Sequence, residues 1–176
     1  GATTSDNARF LRLWHEVSFN KIGINFKSRE SAKESSYKWF PYNKGGDFKK
    51  WFGNQEFIIN YENDGYEIKK FHEIINKERP GGRLKNQDYY FKKCISWSKI
   101  SSGFFSTRFF PEGFIFDVAG SAMFPNSFYD RIKIGLFLNS YVVRSFLQAL
   151  SPTLNFEAEQ LCKLPVVDFS ERLWKK

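Results

Sequence analysis

At 176 residues the chain is long enough for one domain with a real core and too short for two ordinary ones. Aromatic residues make up 19% of it, with 21 Phe, which excludes a disordered tail, because such segments are depleted in large apolar rings. The formal net charge of +8 favours a polyanion as partner, although a merely solvated basic surface has the same composition.

The opening Gly1-Ala2-Thr3-Thr4 lacks the basic and apolar start of a secretory signal, and Gly1 in place of Met suggests a boundary inside a longer protein. From Phe10 to Phe19, Leu11, Leu13 and Val17 alternate imperfectly with Arg12 and Glu16, which predicts a strand. The polar, basic stretch from Asn20 to Tyr37 predicts a surface excursion. Glu56 to Tyr61 predicts a short buried strand, ended by an Asn63-Asp64-Gly65 turn. Tyr66, Ile68, Phe71 and Ile75 then have helical spacing, and Arg79-Pro80-Gly81-Gly82-Arg83 reads as a loop. Strands are expected over Cys94 to Ile100, Gly103 to Phe110 and Gly113 to Ala119, with a turn at Pro111-Glu112-Gly113. A long amphipathic helix is expected from about Tyr129 to Leu150. Its apolar face holds Ile132, Leu136, Val143, Phe146, Leu147 and Leu150, and Ser151-Pro152 stops it. Lys133, Asn139, Arg144 and Gln148 interrupt this run, so it is no membrane span. Leu161 to Val167 predicts a returning strand. The sum is a mixed α/β (α+β) fold, a mainly antiparallel sheet with a long amphipathic helix near the C-terminus. It forms a single domain over residues 1–176 with its core within about 1–167.

Two thiols, Cys94 and Cys162, form neither a disulfide framework nor a zinc pattern. They read as buried small hydrophobes in a soluble protein of a reducing, cytoplasmic compartment. The cations are unevenly spread. Lys21 to Trp51 holds eight Lys/Arg against three acids and Lys77 to Arg108 eight against two, around an acidic stretch from Phe52 to Asn76.

Catalytic patterns are sparse. Transfer of a methyl group to an adenine amine needs an Asp/Asn-Pro-Pro-Tyr/Phe segment beside a glycine loop for S-adenosylmethionine. The nearest string, Phe40-Pro41-Tyr42-Asn43, has one proline, and neither Gly45-Gly46 nor Gly81-Gly82 has the spacing of a nucleotide loop. His15 and His72 read as structural or exposed. Asp64 with Glu67-Ile68-Lys69 has the local form of a magnesium nuclease site, but on a predicted helix after a turn, where chance is the better account. No cofactor is therefore expected on these residues.

Several stretches resemble one family. The opening Gly1 to Arg12 resembles the start of the specificity domain of class I adenine methyltransferases and restriction–modification enzymes, with Ser5 where related sequences often carry Gly. Lys38-Trp39-Phe40-Pro41-Tyr42-Asn43-Lys44-Gly45-Gly46 and Lys50-Trp51-Phe52-Gly53-Asn54 are more specific. So are Ile95 to Gly103 and Gly113 to Gly120. Together they resemble the PglX-type methyltransferases of BREX phage-defence systems. Gly135 to Ser140 and Ser151 to Val166 are similar to the closing region of such specificity domains.

The resemblance implies a target-recognition domain. Its partners would be double-stranded DNA, the catalytic domain of the same parent chain and other defence-system subunits, with no membrane. The parent would methylate adenine N6 from S-adenosylmethionine through residues upstream, and no catalytic residue is carried over. Recognition needs cations for phosphates and polar side chains for base edges. The expected DNA contacts are Lys44, Lys49 and Lys50, then Arg79, Arg83, Lys85, Lys99 and Arg108. Loops bearing Asn43, Asn54, Ser101, Ser102 and Thr107 would supply polar contacts, and Arg83 and Arg108 would read bases. Arg131, Lys133 and Arg144 are expected to matter less, because their helix is committed to packing. Trp39-Phe40-Pro41-Tyr42 is expected as a packed core or turn element rather than a base-stacking platform, and Trp97 in the core. The competing class is a protein-interaction domain docking another defence-system subunit or an inhibitor.

Overall fold

The computed structural model describes residues 1–78, 83–101, 103–150 and 155–166. The strands are β1 (Leu11–Leu13), β2 (Trp39–Asn43), β3 (Phe57–Asn60), β4 (Cys94–Ser98), β5 (Thr107–Phe110), β6 (Ile115–Phe116) and β7 (Gly120–Met123). The helices are α1 (Asn7–Phe10), α2 (Arg29–Lys33), α3 (Glu62–Glu78), α4 (Phe128–Leu138), α5 (Tyr141–Leu150) and α6 (Ala158–Cys162). One sheet has the order β1-β3-β2-β6, antiparallel except for the β2–β6 pair, and the other is the antiparallel set β5-β4-β7. The mixed α/β class with mainly antiparallel sheets is as the sequence predicts.

Each sheet has its own core. The first packs Phe10, Phe40, Tyr61, Phe91 and Phe116 with Ile59 and Ile68. Its rings meet edge-on, as at Phe40–Phe91 (5.6 Å) and Tyr90–Phe116 (5.4 Å), the arrangement that ring quadrupoles favour. The second packs Trp97, Phe105, Val143, Leu147, Phe156, Leu161 and Leu164, and Trp97 Nε1 donates to the Phe156 carbonyl at 2.9 Å. The sheets are stitched by Asn43, which donates to Ser96 Oγ at 2.6 Å and to the Gly120 carbonyl at 3.3 Å.

Several elements differ from the sequence reading. The strand expected over Phe10 to Phe19 shrinks to β1. Asp6 Oδ1 accepts from Arg9 N at 3.0 Å and starts a helical turn before it, and Glu16 accepts from Leu13 N at 2.6 Å and closes a turn after it. The surface excursion contains α2, capped by Ser28, and the buried Ile22 and Ala32. β2 escaped prediction, because two inward rings, Phe40 and Tyr42, around Pro41 are too short a signal. The strand expected over Gly103 to Phe110 is confined to β5, and that over Gly113 to Ala119 to β6. β7, with the weak strand formers Gly120-Ser121-Ala122, was not foreseen.

The long helix is two helices broken at Asn139-Ser140, where Asn139 turns to bond Thr107 and Ser140 Oγ accepts from Val143 N at 3.3 Å. Of its expected apolar face Val143 and Leu147 are buried, whereas Leu136, Phe146 and Leu150 are exposed. Leu161 to Val166 holds no strand. Leu161 and Leu164 bury at helical spacing after the Glu157–Gln160 cap, an ambiguity inherent in short apolar runs. Cys94 is buried as expected, but Cys162 is exposed. Of the two alternatives for His72, the buried, structural one holds, and burial pushes its pKa down. Arg79-Pro80-Gly81-Gly82, Ser102, Ser151-Pro152 and the edge at Val167 lie outside the described residues. Among those residues no helix is long and apolar enough to cross a membrane.

Candidate nucleic-acid interface

Between β2 and β3 the chain makes a compact excursion, Lys44 to Gln55, whose backbone runs repeatedly through the left-handed region: Gly45, Gly46, Trp51, Gly53 and Asn54 have φ of 76°, 136°, 70°, 123° and 56°. Glycine is required at Gly45, where a Cβ would lie 2.6 Å from the Ala119 carbonyl oxygen. That close backbone approach accounts for the Gly45-Gly46 pair without a cofactor phosphate.

The excursion is pinned to the edge of the second sheet. Trp51 N donates to the Thr107 carbonyl and Phe109 N to the Trp51 carbonyl, both at 3.0 Å, and the Trp51 ring lies over Phe109 at 6.3 Å and 15°. Asn54 Nδ2 donates to the Asp47 carbonyl at 2.9 Å, closing the loop on itself. The result is a tip that offers Lys49, Lys50 and Phe52 to solvent, with Phe52 71% exposed. A ring so exposed between lysines and a glycine is not core material. Its sequence signal is the run Lys49-Lys50-Trp51-Phe52-Gly53, two cations followed by two large rings before a glycine.

Of the expected DNA contacts, Lys44, Lys49 and Lys50 belong to this excursion and Arg108 to β5, the edge strand that it joins, whereas Lys99 and Ser101 follow β4, with Lys99 N donating to the Ala119 carbonyl at 2.8 Å. Lys44 is half-buried, its Nζ 5.1 Å over the Phe57 ring. Lys50 Nζ donates to the Asn139 carbonyl at 2.9 Å, and Lys99 pairs with Glu157 at 2.8 Å. Arg83 and Lys85 are exposed elsewhere, on the segment that bridges to Ala2. Arg79 and Ser102 lie outside the described residues.

The polar loop residues are corrected. Asn43, Asn54, Ser101 and Thr107 are buried, and Arg108 is not in a loop but in β5, 1% exposed. Its Nη2 donates to Ser98 Oγ at 3.1 Å, while Nε and Nη1 have no hydrogen-bond partner among the described residues. Burial holds its pKa down at about 10, against the pull of Glu56. A guanidinium so placed does not reach a base edge.

The nuclease-like group is also committed. Asp64 accepts from Arg29 Nη2 at 2.6 Å, from Lys69 Nζ and from Tyr61 Oη at 3.0 Å. Glu67 faces Lys38 and Asn60 instead. The carboxylates diverge into separate ion networks, so no pair converges on one metal. Among the described residues no group of three or more His, Cys, Asp or Glu could hold one.

No protein-family model matches the chain. Over 170 residues, 94% of its length, it is 43% identical to the adenine-specific methyltransferase PglX of Lacticaseibacillus casei (strain Zhang). The chain is homologous to a segment of the PglX/BrxX methyltransferases. A second relative, the adenine-specific methyltransferase BrxX of Escherichia coli O9:H4 (strain HS), is 41% identical over 160 residues, 90% of the chain. The chain spans only 14% and 12% of these two relatives. The homology makes it a methyltransferase-related protein, as the motif resemblance implied.

Proposed function

We propose that the chain is a DNA target-recognition module of an S-adenosylmethionine-dependent adenine-N6 methyltransferase in phage defence. The carrying observation is the pinned Lys49–Phe52 tip, where two lysines precede an exposed ring on a segment homologous to enzymes named adenine-specific. Lysines there suit phosphates, and an exposed ring suits a base face or a step between bases. Lys44, on the same excursion, adds to the basic surface, whereas Arg83 and Lys85 are exposed elsewhere. In this reading the cofactor and the methyl transfer belong to parts of the parent protein beyond the matched segment.

The test is a titration of a fluorescent duplex with the chain. Dissociation constants of about 10⁻⁴ to 10⁻⁶ M, weakening steeply with salt, are expected. Lys49→Gln with Lys50→Gln and Phe52→Ala should weaken binding about tenfold without lowering the melting temperature. Absence of binding at low salt by the folded chain would defeat the reading. A stoichiometric micromolar heat with S-adenosylmethionine would defeat the assignment of the cofactor elsewhere.

One observation favours a protein-docking role alongside. Val142, Phe146 and Leu150 form an exposed apolar stripe on α5, next to Tyr141 and to Leu136 of α4. In the parent enzyme the catalytic domain is the partner this reading supplies.

A further inference from the structure

A groove of about 420 Å³ lies between the segment 125–131 at the start of α4, Lys92-Lys93 and Glu112, with Lys27 on its wall. Its walls carry four cations, Lys27, Lys92, Lys93 and Arg131, against one carboxylate, Glu112. Glu112 pairs with Lys93 at 3.4 Å. Among the described residues Lys27, Lys92 and Arg131 have no carboxylate partner. Asp130, in the same turn of α4, is engaged by Ser127 Oγ at 2.7 Å.

Aromatic faces position two of these cations instead. Lys92 Nζ lies 5.1 Å over Tyr89, and the Arg131 guanidinium lies 5.8 Å over Phe109 and 5.9 Å over Phe128. A ring face orients a cation and leaves its N–H donors unused. The cations come from three separate stretches of chain, so the fold gathers like charges that repel one another, and an anionic occupant would relieve this.

A chain of ring contacts links the groove to the tip. Arg131 covers Phe109, and Phe109 stacks with Trp51, the residue between Lys50 and Phe52. A small free anion would use the groove alone. A polymer with a charge every ~1.7 Å of axis would use both.

We infer that the groove holds the sugar-phosphate backbone of duplex DNA beside the stretch met by the Lys49–Phe52 tip, with Lys27, Lys92 and Arg131 donating to phosphate oxygens. This rests on the DNA-binding reading above. It reverses the expectation that Arg131 matters little.

The experiment titrates a labelled duplex with the chain between about 50 and 200 mM salt. The variants are Lys27→Gln/Lys92→Gln, Arg131→Gln, Lys49→Gln/Lys50→Gln and, as a charge control, Lys70→Gln on α3. Lys27→Gln/Lys92→Gln alters exposed side chains and should stay folded. It should weaken binding about three- to tenfold and make the logarithmic salt slope shallower by about 1 to 2, equally for all sequences. Arg131→Gln should act in the same direction, and Lys70→Gln should leave both readouts unchanged. If the tip variant weakens binding while Lys27→Gln/Lys92→Gln matches the wild type, the groove is not a backbone site and the DNA reading stands. If Lys70→Gln costs as much as the groove pair, net charge alone is at work and the inference falls. If the wild type itself does not bind, the DNA reading fails first.

Discussion

The first sheet surrounds its buried carboxylate with donors, while the second buries a guanidinium that finds a single hydroxyl. Asp64 accepts from Arg29, Lys69 and Tyr61 within hydrogen-bonding distance. Among the described residues Arg108 reaches only Ser98 Oγ, and its other two donor nitrogens have no partner there. The apolar surfaces differ likewise. The first core is closed over by edge-to-face rings, whereas α5 buries Val143 and Leu147 and leaves Val142, Phe146 and Leu150 outside. One half of the molecule satisfies its buried carboxylate internally. The other carries groups that its own fold leaves unsatisfied, and both the pinned tip and the basic groove border on that half.

The largest expected effect tests the satisfied half. Asp64→Asn keeps a residue tolerant of the local φ of 62° but removes the charge that Arg29 and Lys69 share. It should cost about 2–3 kcal/mol in urea denaturation, toward the low side for a broken buried pair because both partners are partly exposed. Burial alone would raise the Asp64 pKa, but the hydrogen bonds from Arg29 and Lys69 bring it down to about 2. Since this lies below the ordinary value of ~3.9, its stabilisation is complete above about pH 5 and is lost as pH falls toward 2. The acid limb of the urea midpoint against pH should therefore flatten in Asp64→Asn. An unchanged limb would make the network irrelevant to stability.

A somewhat smaller loss is expected where the unsatisfied half is held together. Asn139 Oδ1 accepts from Thr107 N at 2.9 Å, and its Nδ2 donates to the Thr107 carbonyl at 3.0 Å and hydroxyl at 2.9 Å. Asn139→Ala leaves the buried Thr107 amide without its acceptor and should cost about 1–3 kcal/mol. Amide exchange should accelerate at Thr107 and along α5 and stay slow in β3. Uniform acceleration would show that the two halves unfold as one.

The smallest effect has the opposite sign. Arg108→Met removes an unpaired cation while keeping much of its volume, and should raise stability by about 1 kcal/mol. DNA affinity should change less than twofold, because the guanidinium does not reach the surface. A destabilised variant would mean that solvent satisfies Arg108, and the contrast between the halves would narrow.

Local chemistry was legible in the sequence wherever a short stretch decides its own conformation. Asn63-Asp64-Gly65, with three consecutive positive φ values, reads as the turn that it is, because Asn, Asp and Gly tolerate the left-handed region. The helix after it and the strands at Phe57–Asn60 and Cys94–Ser98 follow from apolar periodicity alone. The mixed α/β class and the family resemblance were likewise set by the sequence.

What the tertiary structure decided is everything that depends on a partner far along the chain. Asn139 divides the expected long helix because Thr107 offers it three bonds across 32 positions. Arg108 is buried because β5 pairs with β4 on one side and Trp51 joins it on the other, a neighbourhood that no periodicity in Thr107-Arg108-Phe109 encodes. Lys27, Lys92 and Arg131 meet for the same reason. A charge shows its sign in the sequence, but its exposure and its company depend on which distant segments pack around it.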